Sequence, residues 1–89
     1  MEFEWDEVKD ARNHRERGIG FADGTRIFAG KVVEQIDDRR DYGEERLKAT
    51  GAYGHALLTV VYTQRGDIRR IISVRLASRK ERMQWHSSE

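Results

Sequence analysis

With 89 residues, 37% hydrophobic and 37% charged, the chain has room for one modest core over residues 1–89, because a domain this small buries only about 60–65% of its unfolded surface. The lack of cysteine excludes a disulfide framework and a thiolate metal site, and His14, His55 and His86 lie too far apart for a local metal motif, so no cofactor is expected. The net charge of only +1 conceals a block layout, with five acids against one lysine in residues 1–10, +3 over 11–33, −4 over 34–45 and a strongly basic C-terminal third.

The acidic opening MEFEWDEVKD contains no long apolar run, which argues against a signal peptide or membrane span and makes the cytoplasm the expected compartment. Phe3 and Trp5 alternate with acids as in a short strand. Asp6 then suits the N-cap of a helix from Glu7 to Arg17, with Gly18 as its stop. Val8 and Ala11 are that helix's only clear core residues, so Arg12, Arg15 and Arg17 are expected to turn outward. A second short helix is expected from Phe21 to Phe28, although Gly24 costs it roughly 1 kcal/mol relative to alanine, and Gly30 ends it. Lys31–Ile36 reads as a strand and Asp37–Glu45 as an exposed connection of mixed charge.

A β-meander follows. Arg46–Ala52 is a weak strand, Gly54 marks a turn, His55–Thr63 is a strong strand rich in Leu, Val, Thr and Tyr, and Gln64–Asp67 has the composition of a hairpin turn. In the next strand, strict alternation would place Ile68, Arg70, Ile72, Val74 and Leu76 on a largely apolar side, and Arg69, Ile71, Ser73 and Arg75 on the other. Ser78 and Glu81 have the spacing of a capping box, opening a short helix that carries Arg79, Lys80, Arg82 and His86. The expected class is α+β, with helices near the N-terminus, an antiparallel sheet of about four strands and a short C-terminal helix. Between Arg65 and Arg82 seven Lys/Arg stand against two Asp/Glu, a local +5 that suits a polyanion-facing surface or a set of locally paired, solvated charges.

Three segments together carry a family likeness: Trp5, Asp6, Lys9, Asn13, Gly18, Ile19 and Phe21 in the opening stretch; Gly43-Glu44-Glu45-Arg46; and YTQRGDIRRIISVRLASRKER. In these the chain resembles the BrnT toxin family, small ribonuclease toxins of bacterial type II toxin–antitoxin systems. The resemblance implies a RelE-like fold, an RNA substrate and a cognate BrnA-like antitoxin of the ribbon-helix-helix class. The chain differs from the family's common pattern at Glu16-Arg17 and at Tyr62, positions where histidine is frequent, and at Leu47, where tryptophan is frequent. Two readings follow, a site of reduced activity or one whose chemistry rests on arginine and tyrosine.

Metal-independent RNA cleavage by the ribose 2′-OH needs a base for the 2′ proton, positive charge for the phosphate oxygens and an acid for the leaving oxygen. Arginine suits the middle task because its planar fork gives paired donors to phosphate. Arg46, Arg75 and Arg79 are the candidates, Arg79 also because a first helical turn presents free N–H groups. Tyr62 is the candidate acid if arginines lower its pKa, and Glu45 the candidate base. Glu81 is better explained as the capping-box partner. Arg65, Arg69, Lys80 and Arg82 are the expected substrate-binding residues. Trp5 and Trp85 either stack on bases or pack in the core. A non-enzymatic module that binds nucleic acid or an acidic partner is the alternative, since phosphate contacts need only basic residues on one face.

Overall fold

The computed structural model describes residues 1–88. Strands β1 (Glu2–Trp5), β2 (Val32–Ile36), β3 (Leu47–Tyr53), β4 (Ala56–Arg65) and β5 (Ile68–Leu76) form one sheet in the order β1-β5-β4-β3-β2. The α+β class is as expected, but the sheet has five strands and is mixed. β1 pairs in parallel with β5, Trp5 opposite Ile71, whereas the other pairings are antiparallel. The expected four antiparallel strands and RelE-like arrangement are therefore not matched exactly. A parallel partner became possible because the intervening chain forms a crossover long enough to return in the same direction.

Helix α1 (Glu7–Arg17) starts where Asp6 accepts hydrogen bonds from the Val8 and Lys9 amides, which lowers the Asp6 pKa, and it ends at Gly18 with φ +73°. Its anchoring differs from expectation: Val8 is 70% exposed and Ala11 is exposed, while Asn13 is buried. β1 ends at Trp5, so the outer edge of β5 has no strand beside it farther along. Asn13 serves that edge instead, its Nδ2 donating to the Val74 carbonyl at 2.8 Å and its Oδ1 accepting from the Val74 amide at 3.4 Å. The same Nδ2 donates to the Ile19 carbonyl, tying the helix exit to the sheet.

The expected helix Phe21–Phe28 divides into α2 (Phe21–Thr25) and a 3-10 turn (Arg26–Ala29). Both lie over one sheet face, where Phe21, Ile27, Ala49, Leu58, Val60, Tyr62, Ile71 and Val74 form the core, flanked by Phe3, Trp5 and Phe28. Trp5 meets Phe21 edge-on, with ring centroids 6.3 Å apart, so it packs in the core rather than offering a free stacking surface.

Strict alternation fails in β5. The register against β4 shifts between Val61, opposite Ser73, and Tyr62, opposite Ile71, leaving Ile72 as an extra residue. This bulge puts both Ile71 and Val74 into the core and turns Arg70, Ser73 and Arg75 toward the other face, opposite Thr63, Val61 and Thr59. At the end of β5, Ser78 and Glu81 make the capping box that opens helix α3 (Arg79–Ser87). His86 lies within this helix.

Candidate functional site

The second sheet face has no layer of apolar helices and is open only in that sense, since Thr50, Thr59, Val61 and Thr63 on it are buried and Arg46, Lys48, Arg70 and Arg75 are half-buried. Its residues are fixed by alternation: Thr59, Val61 and Thr63 on β4, Lys48 and Thr50 on β3 with Arg46 just before them, and Arg70, Ser73 and Arg75 on β5. Helix α3 crosses one end of this face, its Gln84 accepting from Gln35 Nε2 of β2. The Asp37–Arg46 segment borders another part. Most of it is exposed, as expected, but the Asp37 side chain is fully buried and takes both Nε and Nη2 of Arg39 at 2.7 and 2.9 Å. That Arg39 pair holds Asp37 below the usual carboxylate range and Arg39 above its ordinary value. The backbone of the segment is tied down too, with the Asp37 amide donating to the Arg46 carbonyl and the Thr63 hydroxyl to the Glu45 carbonyl.

Glu81 is the centre of the polar arrangement beneath α3. Its Oε1 accepts from Arg75 Nη1 at 2.7 Å, from the Ser78 amide at 2.8 Å and from Thr59 Oγ1 at 2.9 Å, while Oε2 accepts from Arg75 Nη2 at 2.9 Å. Lys48 Nζ stands 3.7 Å from Oε2. Because the Thr59 proton goes to Glu81, the 2.7 Å contact between Thr50 and Thr59 has Thr50 as donor. The paired Arg75 fork, outweighing the opposing effect of burial, holds the Glu81 carboxyl far below its usual range. A carboxylate so satisfied is a weak base. It is suited to fixing Arg75 and Lys48 on the sheet.

The Arg46 guanidinium lies over Tyr42, 3.8 Å from the ring centroid, and its Nε is buried without a hydrogen-bond partner among the described residues. A buried N–H donor on a cation, left unmatched, is a position that an anionic acceptor would satisfy.

The structure brings only some of the sequence-derived site residues together. Arg46 and Arg75 share the open face, and Arg79 stands exposed in the first turn of α3. Lys80 lies with Arg79 and Met83 along a shallow groove of α3, whereas Arg82 donates from Nη1 to the Ala77 carbonyl on another flank. Arg65 sits at the β4–β5 hairpin, 3.4 Å from Glu44. Arg69 is on the opposite face, stacked over Phe28 and near the Tyr62 ring.

The expectation for Tyr62 is reversed. Tyr62 is 1% exposed on the core face, donates its hydroxyl proton to Glu34 at 2.8 Å, and has its pKa pushed up to about 12 by burial and then by Glu34. Arg69 acts the other way but is outweighed. An acidified phenol on the arginine face is thus ruled out at this position.

A family model described as the ribonuclease toxin BrnT of type II toxin–antitoxin systems matches residues 5–81. The chain belongs to the BrnT ribonuclease toxin family. Among curated proteins no relative matches it. Membership in a type II system implies a protein antitoxin as partner. No described helix is long and apolar enough to cross a membrane.

The residues that carry the BrnT likeness at the N-terminus prove to be structural: Asp6 caps α1, Asn13 closes the β5 edge and Phe21 fills the core. Lys48, Asp37, Arg39, Tyr42 and Arg70 were missed as residues of the open face. Lys48 and Arg70 had a signal in strand alternation, since Lys48 pairs with Val61 and Arg70 with Thr63. The other three depend on the path of a connecting segment, for which sequence spacing offers no guide.

Proposed function

We propose that this BrnT-family chain is a metal-independent endoribonuclease that acts on its RNA at the open sheet face, inhibits translation in the cytoplasm and is neutralised by a BrnA-like ribbon-helix-helix antitoxin. The observation that carries this reading is the shared face of Arg46, Lys48, Arg70 and Arg75, with Arg75 fixed by Glu81 and the Arg46 Nε unmatched. In the reaction the ribose 2′-oxygen gives its proton to Glu45 and attacks the adjacent phosphorus, and the bond to the 5′-oxygen breaks with that oxygen taking a proton from water, leaving a 2′,3′-cyclic phosphate and a 5′-OH. Arg46 and Lys48 stabilise the charge that builds on the phosphate oxygens, and Arg79 adds its guanidinium from the first turn of α3. Arg75 acts as a fixed positive border to the site, since both its terminal nitrogens bind Glu81. Arg65, Lys80 and Arg82 guide more distant phosphates. Arg69, on the other face, has no part in this reading. Glu45, exposed beside Arg46, is the base it retains.

Incubating the purified chain with RNA in EDTA should yield fragments with 5′-OH ends, and Arg46→Ala or Lys48→Ala should lose them. Intact RNA after incubation with antitoxin-free, folded protein would overturn the assignment. A second reading, an RNA-binding module without catalysis, is favoured by the engagement of both Arg75 terminal nitrogens with Glu81, whose carboxylate offsets the charge that guanidinium could give to a reacting phosphate. Salt-dependent binding without cleavage would select it.

A further inference from the structure

A cleft of about 370 Å³ opens between the β3–β4 turn and α3, within the roughly 300–1,000 Å³ typical of small-ligand sites. Its walls include Leu57 and Ala77, its rim carries His55, Arg82 and His86, and Trp85 forms part of its lining. Among the described residues no Asp or Glu lines it. Ala52 and Leu57, paired with each other two residues along from Thr50 and Thr59, also line the cleft, so it lies at the far end of the same sheet face. Arg82, Trp85 and His86 lie beyond the stretch matched by the family model, residues 5–81, and family membership does not account for them.

Trp85 is held more firmly than a half-exposed aromatic near a chain end requires. Its Nε1 donates to the Lys31 carbonyl at 3.0 Å, and Lys31 Nζ donates back to the carbonyls of Trp85 and Ser88 at 2.7 and 2.9 Å. The same ammonium lies 4.0 Å from the ring centroid. The His86 ring meets it edge-on at 5.2 Å. A ring fixed in this way loses little freedom when a flat ligand settles against it. Beside it the Arg82 guanidinium is steadied by the Ala77 carbonyl, with no other hydrogen-bond partner among the described residues, and two exposed imidazoles supply further donors.

We propose that this cleft is a nucleotide subsite, taking a base against Trp85 and the apolar wall and the adjoining phosphate between Arg82, His55 and His86. This rests on the RNA reading above and extends it, because the cleft would hold a nucleotide neighbouring the one on the open face. Aromatic stacking joined to a basic rim is how single strands are held with little sequence preference.

The test follows the histidine ring and indole N–H signals of the full chain by NMR during titration with adenosine 5′-monophosphate, and separately with inorganic phosphate. The nucleotide should move the signals of His55, His86 and Trp85 and leave those of His14 and Trp5 in place. Inorganic phosphate should move the two histidines with little effect on the indole. A response at His14 equal to that at His55 and His86, or no response, overturns the subsite. On RNA, the paired change His55→Ala with His86→Ala should raise KM roughly tenfold and keep kcat, a factor equal to about 1.4 kcal/mol of binding; an unchanged KM counts against the subsite. Nucleotide binding in the cleft without cleavage of RNA would sink the nuclease assignment and leave the cleft standing, whereas cleavage with a silent cleft would do the opposite.

Discussion

The two faces of β4 show how one strand serves two environments. On one side Leu58, Val60 and Tyr62 pack under Phe21 and Ile27; on the other Thr59 joins Thr50 and Glu81 in hydrogen bonds while Lys48 and Arg75 supply charge. Tyr62 on the first face and Glu81 on the second are deeply placed ionisable groups shifted in opposite senses. Tyr62 is held neutral, and Glu81 is held charged. The difference lies in the partners: Tyr62 meets a carboxylate beside aromatic rings, whereas Glu81 meets a guanidinium, a hydroxyl and a backbone amide. Burial acts to raise both groups and is the larger cause at Tyr62, whereas at Glu81 the hydrogen bonds from Arg75 outweigh it.

Removing a cation from the open face is the strongest way to test that contrast. Arg46→Ala and Lys48→Ala should each lower RNA cleavage by about 10²–10³-fold, the usual effect of losing one donor to developing charge. Circular dichroism should show the fold retained in both. A cleavage rate within a few-fold of the parent would mean that the open face is not where the chemistry happens.

Next in size is the loss of Glu81. Glu81→Ala removes the partner of a partly covered Arg75, the capping-box carboxylate and the acceptor of Thr59, and should cost about 2–4 kcal/mol in urea unfolding. The side chains of Glu81 and Arg75 are 8% and 27% exposed, so solvent screening keeps the cost toward the lower end. Glu81→Gln keeps most of the shape and should cost less. Because the folded carboxyl is held below its ordinary value of 4.5, its contribution is complete above that pH and is lost as pH falls through the depressed folded value. The parent should thus lose stability more steeply than Glu81→Gln below about pH 4.5; parallel acid profiles would show the ion pair to be energetically idle.

The open face and its anchor were unequally legible in the sequence. Ser78 and Glu81 announced the capping box, and the α+β order was readable from Asp6, Gly18 and the strand pattern of β4. What could not be read was the bulge at Ile72, because the extra residue depends on pairing with β4 and has no local signature. That single residue decides that Ile71 and Val74, three apart, share the core. Tyr62 was misread for a related reason, since nothing in the run HALLTVVYT says which face the helices will cover. The strand at Phe3 and Trp5 was legible, but its parallel pairing with β5 was not, because four residues of alternating character give no indication of where they will pair.

The covered face depends on α1 through one polar side chain, and Asn13→Asp isolates that link. Aspartate keeps the volume and an acceptor for the Val74 amide but has no N–H for the Val74 and Ile19 carbonyls. The expected cost is about 2–3 kcal/mol, seen as a lower urea midpoint, with Asn13→Ala similar. If Asp were tolerated without loss, the edge of β5 would not need the side chain as its surrogate neighbour.

Gly24→Ala probes how closely α2 approaches the sheet. An added Cβ would lie 2.6 Å from Val74 Cγ2 and 3.2 Å from Val60 Cγ2, so one of those side chains must move. The gain in helix propensity, roughly 1 kcal/mol, is opposed by overpacking of about 1–3 kcal/mol. A net loss of about 1 kcal/mol is expected, while a more stable variant would show α2 free to ride outward.

The smallest change should come from Tyr62→Phe, which removes only the hydroxyl facing Glu34. Cleavage should be unaltered, because the phenol is on the covered face, and stability at neutral pH should fall by about 1 kcal/mol. The alkaline limb gives the sharper readout. The folded phenol ionises near pH 12 against 10.0 in the unfolded chain, so its contribution is whole below pH 10 and declines as pH rises through 12. The parent should lose that margin across this window and Tyr62→Phe should not. A cleavage defect in a fully folded Tyr62→Phe protein would instead place the phenol in the chemistry and reverse the division between the two faces.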